Sequence, residues 1–480
     1  MRNAPKGGIW DLLVIGGGTA GMVAATTAAQ LGASVLLAER DRTGGDCLWT
    51  GCVPSKALLR AAHAAAEARN IARLGVRVTD VEVDFGSVLR RVHQVIAAIE
   101  PVDSPDALRA AGVTVAQFEG RFTGPDSALV GSSPARFRSA VIAIGSAPLI
   151  PPIPGLEQAA PLNSDTVWSL PALPRRLLVL GGGSVGCELA QAFARLGSSV
   201  TIVEATGSLL ATEDPEASVL VAAALAEDGV QVRTAATMIR VTEENAARYG
   251  HLDDGSVVSF DEILLAVGRR PRSDDLGLEL AGVAVDGRGC VQVDPRLRTS
   301  NQRVWAAGDV TGLPPFTHVA GVLGSMAASN AILGLRRSVD IGSIPRVTFT
   351  RPEVAAVGVG GRQLGRRRGV TARTIPHTEV DRAVTDGVTG GFTRLFLDRS
   401  GRVVGGLIVG PRAGESLAEI VLAVRHRLRA RDLAAAMHAY PTYSDGIWKA
   451  AISQVGGRLR RPVGRRAIAL GAWLRRRSLR

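Results

Sequence analysis

The chain of 480 residues contains one short pattern twice, and this repeat restricts the fold more than any other feature. In each copy an apolar run precedes a glycine-rich loop, a stretch of small residues with helical character follows, and a second apolar run ends at a glutamate. The first copy runs from Gly16 to Glu39 and the second from Gly181 to Glu204, 23 residues apart in both. This order is typical of a dinucleotide-binding βαβ unit. The sequence therefore predicts an α/β fold with two Rossmann-like units.

The loop glycines have distinct roles in such a unit: a tight turn, a close approach of the backbone to a pyrophosphate, and close packing of helix on strand. The helix N-terminus adds amide donors and a positive dipole end for the phosphates. The glycines predicted to bind the two dinucleotides are Gly16, Gly18, Gly21, Gly181, Gly183 and Gly186. Two dinucleotide sites in one chain indicate electron transfer between two nucleotide cofactors.

The two glutamates define the other end of each unit, where they can accept hydrogen bonds from ribose hydroxyls. Glu204 would repel a 2′-phosphate, and residues 205–208 contain no arginine that could bind one. The second site is therefore predicted to bind NADH in preference to NADPH.

Two cysteines, Cys47 and Cys52, lie between flanking glycines and a helical pattern predicted over Ala57–Arg73. A short loop can bring such thiols within disulfide range, and a helix N-terminus stabilises the thiolate that exchange chemistry requires. Metal binding is the alternative, but no second Cys/His pair stands nearby to complete a zinc site, and a pair of buried structural thiols also remains open. The pattern favours a redox pair, and no metal site is predicted.

The run from Gly44 to Lys56 resembles the active-site signature of the flavoprotein disulfide reductases, within them the dihydrolipoamide dehydrogenase and mercuric reductase group. Three more segments resemble this family in the expected order: residues 140–146, with Ile144 in place of the usual threonine, 264–271 and 304–309. The resemblance extends over residues 10 to about 455. It implies an enzyme with FAD, a nicotinamide cofactor and a C-terminal α+β domain that forms a homodimer.

The resemblance also implies the domain boundaries. The expected domains are an FAD-binding domain at residues 1–150 and 273–343, an NAD(P)H-binding domain at 151–272, an interface domain at 344–456 and a basic tail at 457–480.

By resemblance, electrons pass from NADH to the flavin and then to the Cys47–Cys52 disulfide. Cys52 is expected to lie against the flavin, and Cys47 is expected to meet the substrate. Lys56 matches a lysine near the flavin, and Glu188 matches its carboxylate partner. The further residues implied in cofactor binding are Glu39, Gly45, Lys56, Gly120, Gly145, Ser146, Gly308, Asp309 and Thr317 for FAD, and Glu204 and Gly268 for the nicotinamide cofactor.

The chain departs from the family at its acid–base motif, where Tyr440 occupies the position of a histidine and Asp445 that of a glutamate. Tyrosine has a reference pKa near 10 and is a poor proton shuttle at neutral pH. Mercuric reductases use a C-terminal cysteine pair, yet the last cysteine here is Cys290.

Three functional hypotheses remain. The favoured one is electron transfer to a small oxidant, which is a metal ion such as Hg(II), a quinone or a disulfide. The second is a dihydrolipoamide dehydrogenase in which water or Tyr440 replaces the histidine. The third is a membrane-surface flavoprotein that acts as a redox sensor or binding partner.

The net charge of +12 is concentrated in the tail, because residues 457–480 contain nine arginines and no acid, which leaves only +3 for the rest of the chain. Nucleic-acid binding is not predicted, since no aromatic-interleaved basic fold accompanies the charge. The tail is expected to be a solvated extension, with peripheral membrane contact as the alternative. Four cysteines, no signal-peptide pattern and no apolar run of about 20 residues favour a cytoplasmic protein.

Overall fold

The computed structural model describes residues 8–245, 247–364, 369–459 and 462–478. These residues form two compact units. The first takes its described residues from Met1–Gly181, Ala192–Val200 and Met238–Val339. The second takes them from Gly182–Gln191, Thr201–Thr237 and Asp340–Arg480.

The described chain contains both α-helices and β-strands. The α-helices are α1 (Thr19–Gln30), α2 (Gly45–Trp49), α3 (Cys52–Asn70), α4 (Phe85–Asp103), α5 (Pro105–Ala110), α6 (Ser184–Leu196), α7 (Pro215–Glu227), α8 (Thr317–Leu333), α9 (Gly361–Leu364), α10 (Asp381–Asp386), α11 (Ala413–Arg425), α12 (Ala430–Ala435), α13 (Asp445–Leu459) and α14 (Pro462–Ser478). The strands are β1 (Ile9–Ile15), β2 (Val35–Ala38), β3 (Thr114–Ala116), β4 (Gly120–Gly124), β5 (Ser127–Val130), β6 (Ser133–Ile142), β7 (Ser146–Pro148), β8 (Arg176–Leu180), β9 (Ser199–Glu204), β10 (Gln231–Thr234), β11 (Met238–Glu244), β12 (Ala247–Leu252), β13 (Val257–Phe260), β14 (Glu262–Leu265), β15 (Arg269–Pro271), β16 (Val304–Ala306), β17 (Pro345–Thr348), β18 (Glu353–Gly358), β19 (Thr371–Pro376), β20 (Phe392–Leu397) and β21 (Val403–Gly410).

The first unit is built on a seven-stranded sheet of order β3-β2-β1-β6-β5-β4, with β16 beside β6. Strand β1 is central and pairs in parallel with both β2 and β6. Its residues Leu12, Leu13 and Val14 are fully buried, as expected for a parallel strand that is covered on both faces. Helix α1 packs against α8 in the same unit. The first glycine loop therefore lies at the carboxyl end of the central strand β1 and leads into the N-terminus of α1.

Smaller sheets complete the first unit. Strands β11, β12 and β13 form an antiparallel sheet, β15 pairs with β7, and β14 pairs in parallel with β8. The β15–β7 pairing joins residues 269–271 to 146–148, which positions two polar residues of the site described below.

The second unit contains an antiparallel five-stranded sheet of order β17-β18-β21-β20-β19. Helix α11 packs on β21 and β18, and helix α13 packs on β19 and β20. Leu395, Ile408, Leu417 and Ile447 are buried in the core that these elements share. In the same unit, β9 and β10 pair in parallel. The predicted class of α/β units with a C-terminal α+β domain is confirmed.

Two segments differ from the sequence-based predictions. The helix expected over residues 57–73 begins five residues earlier, at Cys52, because Pro54 lies within the first helical turn, where a missing N–H costs nothing. Part of the tail, expected as a solvated extension, is the α-helix α14. Its content of arginine, alanine and leucine favours that conformation.

Candidate active site

The two cysteines of the redox motif lie on consecutive helices of the first unit. Cys47 is within the short helix α2, and Cys52 is the first residue of α3, so its sulfur lies at the positive end of a 19-residue helix. The two cysteines are present as thiols and not as a disulfide, with Cys47 half-buried and Cys52 exposed. The Cys52 sulfur lies 3.2 Å from the Thr317 hydroxyl at the start of α8. Sequence reasoning had assigned all three residues to the site, and the structure brings them together.

The two thiols interact, since hydrogen bonding to the Cys52 sulfur is the largest cause of a strongly raised pKa at Cys47. Burial and the charge on Cys52 raise this pKa further, whereas a hydrogen bond with Thr317 lowers it. The carboxylate of Asp103, the last residue of α4, adds a smaller repulsion. The pair therefore shares a proton: the first thiolate to form keeps the other thiol protonated.

The first glycine loop lies directly beside the redox motif. The Gly44 N–H donates to the Gly17 carbonyl at 3.0 Å, and a Cβ on Gly45 would stand 2.7 Å from the Gly18 Cα. Gly45 also has a φ of +56°, a backbone conformation that residues with a side chain rarely adopt. Both this conformation and the lack of space for a Cβ therefore require glycine at position 45. The Glu39 carboxylate accepts a hydrogen bond from the Gly17 N–H at 2.5 Å.

The N-terminus of α1 opens into a cleft of the first unit. Helix α1 has no side-chain cap, which leaves its first amide groups available to a phosphate. The residues that line this cleft are Gly18, Thr19, Ala20, Ala143, Gly145, Ala307, Gly308, Asp309, Pro315, Thr317 and Ala320. Small residues, free amides and one carboxylate fit the pyrophosphate and ribityl chain of FAD.

The remaining residues expected at the flavin lie on the same unit. Lys56 is one turn after Cys52 on α3. Gly120 begins β4, and a Cβ there would press on Ile15 and Ala38 at 3.1–3.2 Å. Ser146 donates a hydrogen bond to the Asp309 carboxylate at 2.7 Å.

An ion-pair network that the sequence analysis missed joins the redox motif to β15. The Asp46 carboxylate pairs with Arg269 and lies 3.5 Å from Arg272. Arg269 also donates to the Ser146 hydroxyl at 2.7 Å and lies 3.9 Å from Asp309. Burial raises the pKa of Asp46 although both arginines oppose that effect. The signal available in the sequence was an ionisable residue inside the motif, directly before Cys47.

The second glycine loop repeats the arrangement of the first. The Glu204 carboxylate accepts hydrogen bonds from the N–H groups of Gly182 and Thr206, both at 2.6 Å. A Cβ on Gly181 would stand 2.5 Å from the Ala266 carbonyl oxygen, so only glycine fits this turn. In contrast, Gly183 has open space around its Cα, which leaves room for a ligand.

Three other residues that the sequence assigned to the two cofactor sites are Gly186, Gly268 and Glu188. Gly186 lies in the first turn of α6, and Gly268, with a φ of +119°, immediately precedes β15. Glu188 is buried on α6 and accepts a hydrogen bond from the Phe349 N–H at 2.9 Å. The pairing of Glu188 with Lys56 stays a prediction.

The acid–base motif of the second unit has partners that were not predicted. Tyr440 is exposed, and its hydroxyl donates to the Asp381 carboxylate at 2.7 Å. This hydrogen bond and the charge of Asp381 raise the pKa of Tyr440. Asp445 is buried and lies 2.9 Å from Lys449, which is also 3.3 Å from Asp381. Tyr440 and Asp445 therefore have different hydrogen-bond partners and do not form a dyad with each other.

A histidine two positions before Tyr440, His438, is held in place by Glu419 at 2.8 Å and by the Ala436 carbonyl at 3.1 Å. Within the described residues, no group of three or more His, Cys, Asp or Glu side chains could hold a metal ion. Across the same parts of the chain, every helix is too short or too polar to cross a membrane.

Comparison with known proteins places these features in a family. The model of the pyridine nucleotide-disulphide oxidoreductases matches residues 10–324, and the model of that family's dimerisation domain matches residues 344–451. The chain is 36% identical to a mercuric reductase of Streptomyces lividans, over 92% of this chain and 95% of the relative. It is 32% identical to a dihydrolipoyl dehydrogenase of Chlamydia muridarum, with the same coverage of both chains.

Solved structures with the same fold include LpdA from Mycobacterium tuberculosis, at a TM-score of 0.86, 29% identity and coverage of 92% of this chain and 99% of the other. The HOCl-induced flavoprotein disulfide reductase RclA from Escherichia coli, solved as a Cu(II) complex, has a TM-score of 0.81 at 26% identity, with 91% and 98% covered. The chain thus belongs to the pyridine nucleotide-disulphide oxidoreductases and is an FAD-dependent enzyme that uses a pyridine nucleotide.

Proposed function

We propose that this enzyme passes electrons from NADH through the Cys47–Cys52 pair to a small oxidant, with a quinone or a soft metal ion such as Hg(II) favoured over a disulfide. The observation that carries this proposal is Tyr440 at the position of the family's histidine. Its pKa is raised above the ordinary tyrosine value by the hydrogen bond to Asp381. The phenol therefore keeps its proton at neutral pH and does not act as a base.

The choice of oxidant follows from the proton balance. Oxidation of the Cys47–Cys52 dithiol to a disulfide releases two electrons and two protons. A quinone takes up both the electrons and the protons, whereas a soft metal ion binds thiolates directly and takes the two electrons while the two protons are released to water. Exchange with a disulfide substrate instead proceeds through a mixed disulfide and a leaving thiolate, which a positioned acid must protonate. Relatives include mercuric reductases and the copper-bound RclA, which supports a metal ion among the acceptors.

The roles proposed for the residues of the first unit follow from their positions. The glycine loop, Glu39, Ser146 and Asp309 would hold FAD, which supplies two-electron transfer between a reduced nicotinamide and the thiol pair. The helix dipole of α3 and the Thr317 hydroxyl favour the thiolate form of the pair. Lys56 and Glu188 are proposed to pair beside the flavin, as in the family resemblance.

NADH is proposed as the reductant because Glu204 ends β9 where a ribose would bind and would repel a 2′-phosphate. The proposed domains are residues 1–150 with 273–343 for FAD, 151–272 for NADH and 344–456 for the subunit interface, and a homodimer is the proposed assembly. A preference for NADPH in kcat/KM, or a monomer in light scattering, would contradict these two points.

The decisive experiment is an anaerobic NADH titration of the flavin-loaded protein. Wild-type protein should take up more than one hydride equivalent and develop a long-wavelength thiolate–flavin band. Cys47→Ser should accept one equivalent only, whereas Cys290→Ser, at a buried position away from the motif, should behave as wild type. One equivalent for the wild type and no such band would mean that the cysteines are bystanders.

The second candidate is a dihydrolipoamide dehydrogenase, which is favoured by relatives at 32–33% identity. A side-by-side assay with lipoamide, menadione and Hg(II) separates the two candidates. Turnover with lipoamide that exceeds turnover with both other acceptors would reverse the ranking.

A further inference from the structure

The C-terminal helix α14 has properties that the enzyme reaction does not use. It spans 17 residues, Pro462–Ser478, and no acidic residue occurs anywhere after Asp445. Its arginines are at positions 465, 466, 475, 476 and 477. The described side chains of this helix are all exposed, and four of them are large and apolar: Ile468, Leu470, Trp473 and Leu474 are 52%, 58%, 49% and 54% exposed.

Three of these residues, Leu470, Trp473 and Leu474, share one face of the helix, because they stand at positions i, i+3 and i+4, whereas Ile468 points to another side. Arg466 precedes Leu470 by one turn, and Arg477 follows Trp473 by one turn. An arginine therefore lies at each end of the apolar stretch, on the same face of the helix. The Arg477 guanidinium lies 4.2 Å from the centre of the Trp473 ring. Tryptophan and arginine in contact are typical of side chains at the boundary between headgroups and acyl chains.

We propose that α14 lies flat on an anionic membrane surface, with Leu470, Trp473 and Leu474 inserted among the lipids and the arginines bound to phosphate headgroups. A solvated helix gains nothing from exposing three large apolar side chains on one face, but a helix of this kind buries them at the bilayer boundary. Arginines at the ends of this face reach the headgroups, because their long side chains can extend along the helix. The helix needs no membrane-spanning length for this role.

Anionic lipid fits the helix better than nucleic acid does. Phosphates of a nucleic acid would satisfy the arginines but would leave the apolar face exposed to water. A lipid surface satisfies both kinds of side chain, with both contributions adding to the binding strength.

Vesicle co-sedimentation of the full-length, flavin-loaded protein tests the proposal. Protein should pellet with phosphatidylcholine vesicles that contain about 30 mol% phosphatidylglycerol, and binding should fall by at least tenfold on pure phosphatidylcholine or in about 1 M salt. Deletion of residues 460–480 should abolish pelleting while NADH:menadione activity stays at the wild-type level. That activity shows that the truncated protein is folded.

Two matched variants separate the apolar and charged contributions. Leu470→Asn with Leu474→Asn keeps the charge and should weaken binding at least tenfold, and Arg475, Arg476 and Arg477 all changed to Gln should do the same. Equal pelleting of the full-length and truncated proteins overturns the proposal, as does full binding by the Leu→Asn variant. A tail-dependent mobility shift of an RNA oligonucleotide without vesicle binding would identify nucleic acid as the partner of α14 and overturn the membrane proposal. Loss of the dimer on truncation would identify a second copy of the chain as the partner and also overturn it.

Discussion

The carboxylate of Asp46, immediately before Cys47, forms an ion pair with Arg269, which follows it by 223 positions in the chain. Both side chains are partly shielded from water, at 34% and 27% exposure. Arg269 also reaches Ser146 and Asp309, so one guanidinium connects the redox motif to the cleft where the flavin is proposed to bind. The pair fixes the short helix α2, which carries Cys47, to strand β15.

We predict that Asp46→Asn and Arg269→Gln each lower the free energy of unfolding by about 1–3 kcal/mol, because each leaves a partly buried charge without its partner. The double variant should lose at least about 1 kcal/mol less than the sum of the two. Chemical denaturation of the flavin-loaded protein measures all three values.

Arg270→Gln provides the matched control, since Arg270 is 61% exposed and pairs with Asp274 at the surface. Its effect should stay below about 0.5 kcal/mol. Strict additivity of the Asp46 and Arg269 variants would show that the ion pair does not hold helix α2 in place.

Thr317→Val should raise the pH at which the thiol pair becomes reactive. The Thr317 hydroxyl lies 3.2 Å from the Cys52 sulfur and lowers the pKa of Cys47 by hydrogen bonding. Without it, thiolate forms only at higher pH, so alkylation by iodoacetamide at pH 8 should slow several-fold. The measurement is the pH dependence of the alkylation rate in the reduced protein.

Thr317→Ser keeps a hydroxyl and should preserve the wild-type profile. Cys187 and Cys290 are buried and should contribute little to the signal. If the pH profile of alkylation is the same in Thr317→Val as in the wild type, this hydroxyl does not stabilise the thiolate by hydrogen bonding.

Sequence patterns predicted the local parts of this site and missed the distant partners. The two glycine loops and the placement of Cys52 before a helix could be predicted, because strand, loop and helix are adjacent in the chain and each has its own residue pattern. The contacts of Asp46 with Arg269 and of Tyr440 with Asp381 join residues 223 and 59 positions apart. Only the folded sheets bring such residues together, and a single sequence contains no signal for the pairing.

His377 should make the protein less stable in acid. Its side chain is buried in the second unit, where Nε2 lies 3.2 Å from the Thr393 hydroxyl. Burial lowers the pKa of His377 to about 4, below the unfolded value of 6.5. The unfolded chain therefore binds the proton first, and the free energy of unfolding should fall by up to about 3 kcal/mol between pH 6.5 and pH 4.

His377→Gln should flatten the pH dependence of unfolding in that interval, while its stability at neutral pH reports any loss of packing. His426→Gln, at an exposed position, should leave the profile unchanged. If the wild type and His377→Gln lose stability in parallel below pH 6.5, another group is responsible.

Tyr440→His tests whether the missing base alone excludes lipoamide. The oxygen of Tyr440 is 2.7 Å from Asp381, so an imidazole at position 440 would have a carboxylate nearby to orient it. A positioned histidine with a pKa near 6.5 contributes typically about 10²–10⁴-fold to proton transfer, and we expect lipoamide turnover at pH 7 to rise at least tenfold.

Two variants locate the cause of that gain. Tyr440→Phe removes the phenol without adding a base and should leave lipoamide turnover low. Asp381→Asn in the Tyr440→His background should reverse most of the gain, because the imidazole loses the carboxylate that orients it and stabilises its protonated form. Menadione turnover needs no acid–base group at this position and should stay within about twofold in all three proteins. A Tyr440→His protein that gains nothing with lipoamide would mean that the substrate cleft itself, and not the missing proton shuttle, excludes disulfide substrates.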